Sequence, residues 1–115
     1  MRIRSIKPEF WRSDDIDALD RQSWKRFGTA EPGHEFLYRL YDADMRLLYV
    51  GITWNPFVRW TAHSKEKTWW AQVARVELFV CDGNRHARQW ETWCIKNLAP
   101  VHNKHQSMRG HRGAD

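Results

Sequence analysis

Residues 47–63 read LLYVGITWNPFVRWTAH: an apolar, strand-like run ends in Gly51, and a helix-like segment then carries Arg59 and His63 four residues apart. Four residues is close to one helical turn, so both side chains leave one face just beyond the strand. A solvated face is the common fate of such a pair. Tyr38 and Tyr49 fall one on each of two strand-like runs, where aromatic β-propensity alone would account for them. Gly51 either ends its strand or lets backbone or ligand approach closely. Further on, Glu91 lies on an apolar helical stripe, four residues after Ala87 and four before Ile95. A carboxylate there is either paired, with Arg88 or Lys96, or faces a cleft, because burying an unpaired charge is costly. Asn103, following Pro-Val-His, is most simply a turn residue.

Together these types suit hydrolysis of a phosphodiester. That reaction needs a divalent cation to neutralise the phosphate and the leaving oxygen, and a carboxylate to hold the cation. It also needs a cationic clamp on the scissile phosphate and a base for the attacking water. Glu91, Arg59 and either a tyrosine or His63 could fill these roles. One protein carboxylate completed by waters and phosphate oxygens is a normal Mg²⁺ shell.

A chain of 115 residues bounds the answer to one domain with a short appendage. Its 19 Lys and Arg outnumber 14 Asp and Glu, giving +5. That excess favours a polyanionic partner, although membrane headgroups or an acidic protein would also fit. Eight tryptophans are many for this length, and core filling is the ordinary use of most, with base stacking the sharper alternative. Cys81 and Cys94 stand thirteen apart, which is neither a disulfide framework nor a CxxC pair. Zinc held with His102 and His105 is one reading of this pair and two small core residues the other, and the core is preferred. No apolar run is long enough to span a membrane, and the N-terminus lacks the apolar core of a secretory signal. A reducing cytoplasm is expected.

The elements that must position these residues follow from periodicity. Residues 36–41 alternate and residues 47–52 form a second apolar run across a polar turn, so 36–52 reads as an antiparallel hairpin. Asn55 can cap the next helix, with Pro56 in its first turn, and that helix is expected to reach about Lys65. A short helix or turn at TWWAQV, a third strand at RVELFV and a long helix stopped near Pro100 complete a β-β-α-β-α order. The expected fold class is α+β: a small three-stranded antiparallel sheet flanked by helices. Residues 1–33 read as a basic arm, with Ser13 as the cap of a short helix whose apolar face is Ile16, Leu19, Trp24 and Phe27. The domain proper spans 34–104, and 105–115 lacks periodicity and reads as a disordered tail.

At these residues the chain resembles the GIY-YIG endonuclease family, which includes intron homing endonucleases, the excision-repair incision subunit and some restriction enzymes. Tyr38 stands where the tyrosine of the first triad falls, and Tyr49-Val50-Gly51 matches the second triad eleven residues on. Arg59 and His63 match the family's RxxxH helix positions. Ala87, Glu91, Ile95, Pro100 and Asn103 resemble its metal-binding glutamate and C-terminal asparagine. The resemblance covers residues 35–104 and implies a Mg²⁺ or Mn²⁺ ion on Glu91, with Arg59 on the scissile phosphate. It further implies Tyr49 or Tyr38 as base with His63 as relay, Asn103 as a brace, and products bearing a 5′-phosphate and a 3′-hydroxyl. The chain departs from the pattern twice. The first triad reads Phe36-Leu37-Tyr38 without its glycine, and Ile52-Thr53 stands where many members have a lysine. Lys65 or Lys67 could restore the charge, or Thr53 could orient a water, with Gly51 beside the substrate. Residues 1–16 separately resemble the opening of phage replisome-organiser proteins of winged-helix type. That resemblance suggests a phage or prophage origin and a basic, aromatic arm in which Arg2, Arg4, Lys7, Trp11 and Arg12 lie against DNA. The alternative is a strand or arm that packs on the nuclease core.

Two functions compete. The first is a metal-dependent DNA endonuclease with weak sequence preference on duplex or single-stranded DNA, or one directed by a partner protein. The second is a non-catalytic nucleic-acid- or protein-binding module that keeps the nuclease fold. Nothing in the chain reads a 2′-hydroxyl, so the choice between DNA and RNA stays open.

Overall fold

The computed structural model describes residues 10–103. Its elements are β1 (Phe10–Asp15), β2 (Glu35–Tyr41), β3 (Leu47–Thr53), α1 (Pro56–Glu66), β4 (Arg75–Cys81) and α2 (Asn84–Leu98). One-turn to two-turn 3-10 segments lie at Arg21–Phe27 and Trp70–Gln72. The fold class is the expected α+β, but the antiparallel sheet has four strands, ordered β1-β4-β2-β3, and not three.

The extra strand comes from the segment read as an arm. β1 pairs along β4 from Phe10↔Phe79 to Asp15↔Arg75. Its sequence, FWRSDD, hides this because an edge strand needs apolar contact on one side only. Trp11 supplies that contact by stacking on Phe36, with ring centroids 5.6 Å apart. Ser13, expected as a helix cap, lies within β1 and accepts a hydrogen bond from Arg75 Nε at 3.0 Å. The helical turn begins later, at Arg21, and buries Trp24 and Phe27, while Leu19 is left 82% exposed. The assigned tail and Arg2, Arg4 and Lys7 lie outside the described residues.

The β2–β3 hairpin forms as expected. Its turn is closed by Asp42, whose carboxylate accepts from the backbone N–H groups of Asp44 at 2.9 Å and Arg46 at 2.8 Å. β2 is central, so both of its faces are covered. Phe36, Tyr38 and Leu40 join the core under α1, where Trp24, Trp60 and Trp70 pack edge to face. Leu37 joins the core under α2, with Val50, Phe79, Ala87 and Trp90. Cys81 and Cys94 lie buried and unbridged in that second core, as expected of small apolar residues. Among the tryptophans, Trp24, Trp60, Trp70 and Trp90 are core, whereas Trp11, Trp54 and Trp93 stay exposed.

The helix caps follow the chain chemistry. Asn55 Oδ1 accepts from Val58 N–H at 3.2 Å, and Pro56 opens α1 without wasting a donor. α2 stops at Leu98 because Pro100 disfavours helix at the residue before it. Ala99 instead takes a left-handed conformation at φ 48°. That reversal sends residues 101–103 back along β3.

Candidate active site

β3 is an edge strand, and its free backbone would ordinarily invite pairing with another chain. Residues 101–103 cover it. Val101 N–H donates to Leu47 O at 3.1 Å and His102 N–H to Leu48 O at 2.9 Å. Asn103, fully buried, then grips both sides of one residue: Val50 N–H donates to its Oδ1 at 2.9 Å, and its Nδ2 donates to Val50 O at 3.1 Å. Asn103 is therefore far more than a turn residue, because its amide does the work of a missing strand between Tyr49 and Gly51. Replacing it with alanine leaves two buried backbone groups unpaired and is expected to cost about 2–4 kcal/mol. A thermal melt should show the midpoint falling by roughly 10 °C, and an unchanged midpoint would contradict the clamp.

Gly51 pairs across the sheet with Tyr38. A Cβ built on Gly51 would fall inside the Tyr38 phenol, with Cζ only 2.5 Å away. The glycine is thus required so that the Tyr38 ring can lie over the backbone of β3. In that position the Tyr38 hydroxyl meets His63 Nε2 at 2.8 Å. Trp60 walls the tyrosine edge-on at 5.7 Å, and Tyr49 lies 6.3 Å away, itself 5.1 Å from the His63 ring. The Arg59/His63 pair is not a solvated face. Arg59 is exposed, but His63 is completely buried.

Burial controls the protonation of this pair. His63 falls from 6.5 to about 4, chiefly by desolvation and further by the charges of Arg59 and Lys67, so it is neutral at pH 7. Tyr38 is pushed well above 10, first by burial and then by Tyr49, while Arg59 opposes the shift by charge and hydrogen bonding. The charge of Glu91 also reaches this hydroxyl. One phenol thus senses His63, Tyr49, Arg59 and Glu91 together.

Glu91 is half-buried on α2 and takes neither of its candidate partners. It has no ion pair among the described residues, and Arg88 Nε donates instead to Asn84 Oδ1 at 3.0 Å. Its carboxyl rises from 4.5 to about 7, mainly by burial, with Arg88 opposing and Glu35 adding repulsion. Glu35 was not foreseen. It opens β2, on the α2 face with Leu37 two residues on, and accepts from Asn84 Nδ2 at 3.0 Å at the start of α2. The period-two pattern of the strand held the signal for its direction, but only the packing of α2 shows what it meets.

The remaining anticipated residues divide. Lys67 Nζ sits 5.8 Å over the Tyr49 ring, and its charge helps to depress His63. Lys65 is exposed on the last turn of α1. Thr53 Oγ1 already accepts from Asn55 N–H at 3.0 Å, so it shapes the turn into α1. Phe36, in place of the glycine of the first triad, fills the β1 side through its stack on Trp11. Trp69 is a further neighbour of Tyr49, at 5.5 Å, and lies parallel to His102 at 4.5 Å. No group of three or more His, Cys, Asp or Glu side chains is placed to hold a metal among the described residues. A cation here would rely on Glu91, waters and substrate oxygens.

A strand tyrosine bonded to a helix histidine, within the electrostatic reach of an arginine and a carboxylate without an ion pair, has the parts of a nuclease-type site. Residues 34–106 match the model of the GIY-YIG catalytic domain, and the chain belongs to the GIY-YIG family. Membership carries a nuclease-type function with a nucleic acid as substrate. No curated protein and no solved structure matches the chain. No helix among the described residues is long and apolar enough to cross a membrane.

Proposed function

We propose that this protein is a divalent-metal-dependent endonuclease that hydrolyses phosphodiester bonds of DNA. We read it as phage- or prophage-encoded and cytoplasmic, with weak sequence preference by itself or specificity supplied by a partner protein. The observation that carries the reading is the Tyr38–His63 hydrogen bond, made possible by Gly51 and facing an exposed Arg59 and an unpaired Glu91.

Glu91 fits a cation: it is a half-buried carboxylate that forms no ion pair among the described residues and is raised toward neutrality by burial, against the charges of Arg88 and Arg59. A Mg²⁺ or Mn²⁺ ion held there would neutralise charge on the phosphate and the leaving oxygen. Arg59 binds the scissile phosphate, its guanidinium presenting several donors to the phosphate oxygens. Tyr38 takes the proton of the attacking water while its own proton passes to His63 Nε2, which is neutral and can accept it. Tyr49 and Lys67 line the same wall, and Lys67 adds positive charge for the phosphate. Attack in line with the leaving oxygen yields a 5′-phosphate and a 3′-hydroxyl. Asn103 holds β3 in register and so keeps Tyr49 and Gly51 in place.

The test is cleavage of supercoiled plasmid and of a labelled single strand by the wild-type protein, with Mg²⁺, with Mn²⁺ and with EDTA. Nicking or cutting is expected with either metal and none with EDTA. Intact substrates under all conditions, with DNA still bound, would establish a binding module that keeps the fold.

A further inference from the structure

Trp54 stands on the turn between β3 and α1, and it is 60% exposed. Its ring touches no other ring among the described residues, yet its backbone is held from both sides. Ala30 N–H donates to Trp54 O at 2.8 Å, Asn55 N–H to Thr53 Oγ1 at 3.0 Å, and Val58 N–H to the Asn55 cap at 3.2 Å. A large aromatic surface is thus presented to solvent from a rigid turn.

Two cations lie along the segment that follows it. Phe57, in the first turn of α1, carries Lys25 Nζ over its ring at 5.2 Å, and the exposed Arg59 comes two residues later on the same helix. Neither Lys25 nor Arg59 has a carboxylate partner among the described residues. The cavity of about 410 Å³ beside Trp11 differs in this respect. Its two guanidinium groups, Arg12 and Arg26, share the carboxylate of Asp14, and Glu31 stands on its wall, so it has no surplus positive charge.

We propose that Trp54 is the stacking platform for an unpaired base of the substrate, with Lys25 and Arg59 taking phosphates of the same strand. The substrate is then single-stranded DNA, or a frayed segment of it, in preference to intact duplex. In a duplex both faces of each base are covered by neighbours, whereas an unpaired strand offers free π-faces to an exposed aromatic ring. Stacking accepts any base, which agrees with weak sequence preference. The proposal rests on the nuclease reading and names the form of nucleic acid that the site takes.

The experiment measures binding in EDTA, so that nothing is cut. Fluorescence anisotropy of a labelled oligothymidylate and of a labelled duplex of the same length is followed for wild type, Trp54→Ala and Trp54→Phe. Circular dichroism confirms that each variant is folded. Trp54→Ala is expected to weaken single-strand binding by about tenfold or more. Trp54→Phe should recover most of that loss, and duplex binding should be unchanged in both. Equal losses on both substrates, or no loss on the single strand, would overturn the platform while leaving a metal-dependent nuclease standing. A wild-type protein that neither binds nor cuts any nucleic acid would remove both.

Discussion

Glu91→Gln should lower metal-dependent cleavage by about a thousandfold, while making the metal-free protein more stable above neutral pH. The first effect follows from losing the carboxylate that holds the cation in the proposed mechanism and whose charge reaches Tyr38 and Arg59. Lewis-acid stabilisation is worth several kcal/mol, and each 1.36 kcal/mol is a factor of ten. DNA binding without metal should be kept or improved, because a negative charge near the phosphate site is gone. The second effect comes from the raised carboxyl. Folded Glu91 titrates at about 7 against an ordinary 4.5, so folding favours its protonated form. Ionising it therefore costs stability that is absent below 4.5, grows through the window up to 7 and is full above it. At pH 8 in EDTA the glutamine variant should be more stable than wild type by up to about 3 kcal/mol and melt at a higher temperature, and at pH 4.5 the two should converge. Proton and cation also compete for this carboxylate, so more metal should be needed for half-activation as pH falls through 7. Cleavage that survives in Glu91→Gln would remove this residue as the metal ligand.

The sequence shows this constellation better than it shows the surroundings. Arg59 and His63, Tyr38 and Gly51, and Glu91 on the stripe through Ala87 and Ile95 can all be placed because helix and strand periods put side chains on known faces. The Tyr38–Gly51 contact could be anticipated only as a close approach, since cross-strand register depends on the whole hairpin. Phe10–Asp15 leaves arm and strand open in the sequence. Its charges look like those of an arm, and only pairing with β4 and the stack of Trp11 on Phe36 give it a face. Asn103 was legible as a brace through family resemblance, but the groups it braces are set by the left-handed Ala99, which turns the chain back along β3. Glu35 escaped notice because its effect on Glu91 crosses from a strand to a helix some fifty residues away, and local patterning carries no such pairing.

Tyr38→Phe should reduce cleavage by about a thousandfold with little change in DNA affinity. The phenyl ring keeps the packing over Gly51 and against Trp60 and Tyr49, so the substitution removes one hydroxyl and little else. General-base catalysis contributes about 10²- to 10⁴-fold, and that is the range at stake. Tyr38 is assigned the role because its hydroxyl bonds His63 Nε2, at 2.8 Å. Tyrosine is a poor base at its ordinary pKa, and burial raises Tyr38 further, so the phenol serves by passing its proton on as it receives another. His63 starts neutral, with Nε2 open to that proton. The burial and the Arg59 and Lys67 charges that hold it near 4 make the protonated form short-lived, so the proton is passed on and not stored. Its neutrality has a stability counterpart: the folded pKa lies below the ordinary 6.5, so the contribution is complete above 6.5 and is lost as pH falls through 4. In Tyr38→Phe both His63 nitrogens lack partners, since Nδ1 already has none, and the fold should weaken by about 1–3 kcal/mol. Single-turnover cleavage by Tyr38→Phe and Tyr49→Phe at saturating protein separates the two tyrosines. A larger loss in Tyr49→Phe would move the base to Tyr49 and leave Tyr38 as the group that orients His63.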